Sequence, residues 1–273
     1  MTPKTDKELA FIHELFVATD WGERFAELVD EHVKLPKEGR VLYVAAGTGG
    51  HAIALQEQSA NDLQFLCVDE NEECLELART KATVLKDVAE FRQDTVDNLT
   101  LPDDHFNVVI GDGSLVETLR AQGMLKEMVR VAAPGATVAF TLPTFSSFGE
   151  FFSIYWEALH NLGLMDHEAD VESLISRLPS ISAVEEMAEQ TGLEEIVSWT
   201  RIEEFDYESG DQFLNSPLIT DFLMRNWLKQ IPPQSHQEVV AEIGRLINED
   251  RHEAEFALSV KATLVVGKKA LNQ

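Results

Sequence analysis

Four consecutive residues, Gly-Thr-Gly-Gly from Gly47 to Gly50, follow an apolar run and precede a segment rich in Ala and Leu. The run, Val41 to Ala46, has the composition of a buried strand, and the segment after the glycines is typical of a helix. Glycine permits a sharp turn and lets a ligand approach the backbone closely. Because the free N–H groups and the positive dipole end of that helix point at the turn, the pattern favours an anionic ligand group.

An acidic residue, Asp69, lies twenty residues beyond Gly49 and directly after a second apolar run, Leu63 to Val68. A carboxylate in that place can accept hydrogen bonds from the hydroxyls of a ribose. The glycines and Asp69 together predict an adenosine-containing cofactor. Two purely structural interpretations stay open here: the glycines serve only the turn, or Asp69 caps the next helix.

Strand-like and helix-like segments alternate along the chain, which predicts an α/β protein with a doubly wound, Rossmann-like sheet. We expect the sheet to be mostly parallel with helices on both faces, because its strands are almost continuously apolar. Two late strands, separated by a helical excursion, predict an antiparallel strand at the C-terminal edge. The predicted strands are 41–46, 63–68, 90–92, 106–110, 136–142, 194–207 and 256–266. The predicted helices are 7–33, 50–58, 71–86, 115–132, 168–178 and 182–190.

We expect one structural domain built from three segments. These are an N-terminal helical segment (1–38), the cofactor-binding core (39–144), and the remainder of the sheet (145–273) with helical insertions at 145–190 and 211–252.

Aromatic residues recur at helical spacing between residues 145 and 156. This spacing is typical of core packing and also of a lid over a substrate. In the lid interpretation, Phe148, Phe152 and Trp156 contact the substrate.

Five motifs in order resemble those of the class I S-adenosylmethionine (SAM)-dependent methyltransferases, especially the small-molecule branch (type 11) that includes quinone-biosynthesis enzymes. VLYVAAGTGG resembles the first motif, a strand and glycine loop beside the methionine part of SAM, and LQFLCVDENEECLELAR (63–79) resembles the second. FRQDTVDNLTLPDDHFNVVIGDGSL (91–115) resembles the third and fourth, and LKEMVRVAAPGATVAF (125–140) is similar to the helix, turn and strand that follow. The resemblance covers residues 38–144. It implies SAM as cofactor and methyl transfer to a small, partly apolar acceptor by in-line displacement.

The resemblance also implies which residues hold the cofactor. Asp69 would bind the ribose, the acid at Asp94 would contact the adenine amino group, and Gly111 would line the pocket. The implied cofactor-binding set is Ala45, Gly47, Gly49, Asp69, Glu70, Asp94, Thr95, Gly111 and Asp112. Without the resemblance, Asp94 reads as a loop acid and Asp112 as part of an Asp-Gly turn.

Two positions depart from the family pattern, and no catalytic residue can be assigned. The family has an acid where this chain has Tyr43, and a glycine where it has Ala45. His51, directly after the glycine loop, is a candidate base or a pocket-rim residue.

Two other functions stay open. The first is a non-catalytic SAM-binding or interaction protein on the same fold. The second is an NAD(P)-dependent oxidoreductase, because Gly47 to Ala52 satisfies the dinucleotide-binding pattern G-x-G-x-x-A.

Composition narrows the choice of partners. The chain has 48 acidic and 22 basic residues, a net charge of −26, and no basic cluster, so nucleic acids and anionic membranes are not expected partners. No run approaches the roughly 18 apolar residues that would span a bilayer. Two cysteines predict neither a metal site nor a disulfide framework. We expect a cytoplasmic protein with a small-molecule acceptor, for which a homodimer is possible.

Overall fold

The computed structural model describes residues 4–59, 62–85, 89–249 and 256–271. The strands are β1 (Glu38–Val44), β2 (Asp62–Asp69), β3 (Glu90–Gln93), β4 (Phe106–Asp112), β5 (Ala132–Pro143), β6 (Leu193–Tyr207) and β7 (Phe256–Lys269). They form a sheet in the order β3-β2-β1-β4-β5-β7-β6. The pairs among β1 to β5 are parallel, and the sheet ends in an antiparallel edge.

The α-helices of the described residues are α1 (Asp6–Ile12), α2 (Glu23–His32), α3 (Gly50–Gln58), α4 (Glu72–Leu85), α5 (Thr118–Val131), α6 (Gly149–Asn161), α7 (Glu168–Arg177), α8 (Ile181–Gln190), α9 (Gly210–Asn215), α10 (Met224–Trp227) and α11 (His236–Glu249). A ten-residue π-helical segment, His13–Gly22, joins α1 to α2 without a break. A second π-helical segment is Leu218–Leu223, and 3-10 turns occupy Met165–His167, Leu228–Gln230 and Pro233–Ser235.

The predicted fold class is confirmed: the sheet is doubly wound and mostly parallel, with an antiparallel edge. Each predicted strand overlaps an observed one. The helix predicted over 7–33 includes the π-helical segment, a widened helix type that the spacing of apolar residues does not distinguish. The predicted helix end at residue 86 and the insertion end at residue 252 lie outside the described residues.

The chain folds into two compact units. The first consists of residues 1–142, 181–200 and 263–273, and the second of residues 143–180 and 201–262. The division of the chain into the three segments 1–38, 39–144 and 145–273 stays a prediction.

In the first unit, strand order reverses at β1. The chain extends from β1 to one side through β2 and β3, and to the other side through β4 and β5. Val44 at the end of β1 pairs with Gly111 near the end of β4, so the loops that follow these two strands are neighbours. Ligands of doubly wound sheets bind outside the carboxyl ends of the strands at such a switch point. Buried aliphatic residues of β1 and β4 hold this edge in place.

The second unit contains a cluster of aromatic side chains centred on α6. The Phe151 ring stacks on Trp227 of α10 with centroids 4.1 Å apart, and the Phe152 ring packs edge-on against the same indole at 5.6 Å. Phe148 also contacts Trp227, at 5.4 Å. Phe148 and Phe152 are buried, whereas Trp156 is 41% exposed. In this unit Phe148 and Phe152 therefore act as core residues, and contact of any of the three with a substrate stays a prediction.

The aromatic cluster predicts unequal costs for two substitutions on the same helix. Phe152→Ala should lower the free energy of unfolding by about 3–5 kcal/mol, because it removes a fully packed ring. Trp156→Ala, the matched control, should cost about 1 kcal/mol or less, because its side chain is partly in solvent. Urea unfolding of both variants checks this; equal costs would contradict the burial difference.

Candidate functional site

The glycine loop joins β1 to α3 through three residues with positive φ. These are Ala45 (φ +58°), Gly47 (φ +54°) and Gly49 (φ +75°). A side chain at Gly49 would place its Cβ 2.8 Å from the Cβ of Ala78 and 2.9 Å from the Phe91 ring. Gly49 is therefore needed for close packing of the loop against α4 and β3 as well as for the turn.

Asp69 connects the end of β2 to this loop. Its Oδ2 accepts a hydrogen bond from the Gly47 N–H at 2.7 Å, and its Oδ1 accepts one from the Asn71 N–H at 2.9 Å. Asn71, not Asp69, caps α4, since its Oδ1 accepts from the N–H groups of Glu73 and Cys74. Burial raises the pKa of Asp69 above its ordinary value, although the two backbone donors oppose that shift. Each carboxylate oxygen retains a second lone pair for a ligand.

Glu70, the next residue, pairs with Arg120 of α5. The Arg120 Nη1 donates to Glu70 Oε2 at 2.9 Å, and its Nε donates to Asp97 Oδ2 at 3.0 Å. The hydrogen bond from Arg120 lowers the pKa of Glu70. Glu70 Oε1 also accepts from the Val96 N–H at 3.2 Å, so this ion-pair network fixes the loop after β3 to the end of β2.

Asp94 holds the same loop from inside. Its buried carboxylate accepts hydrogen bonds from the N–H and hydroxyl of Thr100, from the Thr95 N–H and from Arg92 Nη2. Its own N–H donates to the Asp69 carbonyl at 3.0 Å. Thr95 itself is exposed. Asp94 thus shapes the loop beside Asp69, and adenine contact by Asp94 and Thr95 stays a prediction.

Gly111 and Asp112 differ in their surroundings. A Cβ on Gly111 would lie 2.5 Å from Met128 Sδ, so this glycine allows α5 to pack closely on β4. Asp112 Oδ1 accepts from the Ser114 N–H at 2.9 Å and from the Thr141 hydroxyl at 3.3 Å. Ser114 in turn accepts a hydrogen bond from Trp21 Nε1 at 3.0 Å. Asp112 is therefore held at the switch point between β4 and the π-helical segment.

A cavity of about 390 Å³ opens at this switch point within the first unit. Its walls are the π-helical segment, α2, the glycine loop, the first turn of α3 and residues 112–115. Of the predicted cofactor-binding residues, Ala45, Gly47 and Asp112 line the cavity. The other six lie elsewhere in the same unit.

The cavity lining is strongly acidic. Five of the lining residues carry carboxylates, and none of them is Lys or Arg. The acidic residues are Glu14, Glu23, Glu27, Asp30 and Asp112. Glu14 is paired with Lys81 Nζ of α4 at 2.8 Å, outside the lining. Such a lining favours a ligand with positive charge. Sequence reasoning included Asp112 but missed the other four acids, because they come from N-terminal helices whose spacing carries no motif.

Three of the lining side chains, Asp30 among them, form one hydrogen-bonded row. The Tyr43 hydroxyl lies 2.8 Å from His51 Nδ1, and His51 Nε2 lies 3.1 Å from Asp30 Oδ1. Burial raises the pKa of Tyr43 well above its ordinary value, and the nearby Asp112 carboxylate adds to this. The phenol therefore stays protonated at neutral pH. Sequence reasoning singled out Tyr43 and His51 separately, and did not connect them or include Asp30.

His13 forms another part of the wall. A Cβ on Gly47 would lie 2.8 Å from His13 Cε1, so the imidazole packs directly on the glycine loop. Burial lowers the pKa of His13 despite the nearby Asp112 carboxylate, which favours the neutral ring at pH 7. Among the residues that the structure describes, no group of three or more His, Cys, Asp or Glu side chains is placed to hold a metal ion.

Comparison with known proteins agrees with this arrangement. Residues 41–135 match a family described as a methyltransferase domain. This segment is therefore similar to methyltransferase domains. The match runs from β1, through the glycine loop and Asp69, to the turn within β5. The predicted resemblance to class I SAM-dependent methyltransferases is thereby confirmed.

Individual relatives support the same assignment. The chain is 28% identical over 132 residues to the ubiquinone/menaquinone biosynthesis C-methyltransferase UbiE of Geotalea daltonii. This alignment covers 45% of this chain and 55% of the relative. The chain thus spans about half the length of the curated relatives it matches.

Solved structures share the fold. YcgJ of Bacillus subtilis superposes with a TM-score of 0.59 at 17% identity, covering 92% of this chain and all of that one. A Haemonchus contortus phosphoethanolamine N-methyltransferase, solved with phosphomonomethylethanolamine and S-adenosylhomocysteine, gives a TM-score of 0.56 at 16% identity. That match covers 98% of this chain and 59% of the other.

The buried carboxyl of Asp69 predicts a specific pH dependence. Because its pKa is raised in the folded protein, the native state retains the proton to higher pH than the unfolded chain does, and stability falls as pH rises through this interval. Asp69→Asn removes the titration. The free energy of unfolding of the wild type minus that of the variant should decrease with pH, by up to about 1.4 kcal/mol per pH unit.

Urea unfolding between pH 3.5 and 7, with a carboxyl-carbon NMR titration of Asp69, measures this effect. A difference that grows with pH would mean that the Gly47 and Asn71 donors outweigh burial.

Proposed function

We propose that this protein is a methyltransferase that transfers the methyl group of SAM to a small, partly apolar acceptor. The observation that carries the proposal is the matched domain at residues 41–135, whose glycine loop and Asp69 meet at the switch point of the sheet. In this proposal, Ala45, Gly47 and Gly49 approach the methionine part of SAM and Asp69 accepts from the ribose. Glu70, Asp94 and Thr95 complete the adenosine side, and Gly111 and Asp112 line the pocket.

The charge of the cavity supports placing the methionine part of SAM beside the glycine loop. SAM carries positive charge on its sulfonium and its amino group, and the cavity beside the glycine loop presents carboxylates and no Lys or Arg. Opposite charges attract more strongly in a partly buried site than in water. The acidic wall thus favours the cationic end of SAM at this side of the loop.

The chemical step needs alignment above all. The acceptor's nucleophilic atom forms a bond to the methyl carbon as the carbon–sulfur bond breaks, and the electron pair of that bond leaves with sulfur, giving S-adenosylhomocysteine. The acceptor loses a proton. Holding the two reactants in line can contribute about 7–11 kcal/mol, and a general base typically adds 10²–10⁴-fold.

One observation supports a second candidate, a non-catalytic SAM-binding or interaction protein. Ala45 adopts φ +58° and lines the cavity, so its methyl group lies where the family has glycine. A methyl group there narrows the space for a cofactor. This candidate predicts binding without turnover.

Several narrower expectations stay predictions. They are the acceptor class, the lid role of 145–190 and 211–252, cytoplasmic location, a homodimer and the absence of nucleic-acid partners. No helix among the described residues combines the length and apolar character needed to cross a bilayer.

Isothermal titration with S-adenosylhomocysteine, SAM and NAD tests the cofactor. We expect dissociation constants on the order of micromolar for the first two and no binding of NAD. Gly47→Ala should weaken S-adenosylhomocysteine binding at least about tenfold, because the new methyl group meets His13. Gly163→Ala is the matched control: Gly163 has φ +68°, a Cβ there would have no heavy atom within 4 Å, and the affinity should not change.

Binding of NAD alone would revive the oxidoreductase interpretation. Binding of S-adenosylhomocysteine with no turnover of phenolic, amine or carboxylate acceptors would favour the non-catalytic candidate.

A further inference from the structure

The row formed by Tyr43, His51 and Asp30 crosses from the inner end of the cavity toward solvent. Tyr43, on β1, is 5% exposed. The His51 side chain, on the first turn of α3, is 16% exposed, and the Asp30 side chain, on α2, is 47% exposed. All three line the same cavity. The row therefore connects a buried hydroxyl to the outside through one imidazole.

The hydrogen bonds in this row have a fixed direction. The Asp30 carboxylate can only accept, so neutral His51 must carry its proton on Nε2 and donate it to Asp30. His51 Nδ1 then has a lone pair, which accepts the hydrogen bond from the Tyr43 hydroxyl. The Tyr43 oxygen still has lone-pair capacity for a donor in the cavity. Each group is thus ready to receive a proton from the group further inside.

We propose that Tyr43, His51 and Asp30 form a proton-transfer chain that removes the proton of the methyl acceptor. This inference rests on the proposed methyltransferase function. It identifies the acceptor as a molecule whose nucleophilic group bears a proton, such as a phenol, a quinol or an amine. A nucleophile that carries no proton has no need of the chain.

The atoms balance as follows in the transfer. The acceptor proton moves to the Tyr43 oxygen while the Tyr43 proton moves to His51 Nδ1, so Tyr43 ends neutral and His51 becomes an imidazolium. The imidazolium forms beside Asp30 and later releases its proton to water at that exposed end. The acceptor gains a methyl group and loses a proton, so the step requires no oxidant or metal.

Burial makes a relay necessary. Burial and the nearby Asp112 carboxylate raise the pKa of Tyr43, so a lone tyrosine could not hold the negative charge of a base. Because His51 accepts the Tyr43 proton, the transfer places a positive charge on the imidazole rather than a negative charge on the phenol. The Asp30 carboxylate stabilises that positive charge. The same division of labour underlies nucleophile–His–Asp triads in other enzymes.

Carboxylates predominate among the titratable groups around this row. Titratable groups near this row come from α2, the end of β4, β2 and the π-helical segment. They are Glu23 and Glu27, Asp112, Cys67, and His13 with Glu14, the last paired with Lys81. Of the groups named here, only Lys81 is a basic side chain of the Lys or Arg type, and it is paired with Glu14.

Three substitutions test the proton-transfer chain, with 1,4-naphthalenediol and phenethylamine as acceptors. Tyr43→Phe and His51→Gln should each lower kcat about 10²-fold or more, and Asp30→Asn about tenfold, while S-adenosylhomocysteine affinity changes less than about threefold. In the wild-type protein, kcat should rise with pH as the proton-transfer chain of Tyr43, His51 and Asp30 loses a proton. This rise of kcat with pH should disappear in His51→Gln. His32→Gln is the matched control, since His32 lies on α2 and stacks on Trp199 outside the cavity lining.

Other outcomes overturn the proposal. Parallel loss of S-adenosylhomocysteine affinity would make the row a holder of the cofactor's amino group. A pH profile of kcat that is the same in His51→Gln as in wild type would contradict the proton transfer through His51. Nitrogen NMR of His51 gives a test without any acceptor: a proton on Nδ1 rather than Nε2 in the neutral ring would reverse the chain. Failure of wild type to bind S-adenosylhomocysteine would instead contradict the proposed function itself.

Discussion

The hydrogen bond between the Asp69 carboxylate and the Gly47 N–H is the constraint on which the candidate site depends. It joins the end of β2 to the middle of the glycine loop, and the other oxygen of the same carboxylate fixes the residue that caps α4. The loop shape, the start of α4 and the wall of the cavity are therefore set by one side chain. A single buried acid can do this because both of its oxygens accept from backbone groups that would otherwise lack partners.

The other acids of the motif reinforce the same edge. Asp94 organises the loop after β3, and Glu70 with Arg120 fastens that loop to β2 and α5. These carboxylates are occupied by protein donors before any ligand arrives. An edge that is already ordered loses little conformational entropy on binding, which is how preorganised sites gain affinity. Residues that the sequence predicts as ligand contacts thus build the frame of the candidate site.

The sheet could be predicted from sequence because its strands are apolar runs at regular spacing, and local pattern is what specifies them. The cavity wall could not. Tyr43, His51 and Asp30 meet only because α2 packs beside the glycine loop, and no spacing rule links residue 30 to residue 51. The aromatic spacing on α6 was likewise insufficient: periodicity defines a face, but Trp227, far along the chain, makes Phe152 a core residue.

Tyrosine at the end of β1 follows from the charge already present in the cavity. Five carboxylates line it, and Asp112 lies close enough to affect the Tyr43 pKa. A further buried carboxylate at this position would be desolvated among like charges, which is costly unless it takes up a proton. A phenol keeps a hydrogen-bonding oxygen there without adding charge, and His51 and Asp30 then supply the basicity that the phenol lacks. The departure from the family pattern is thus a redistribution of acid and base over three residues, made possible by the helix that carries Asp30.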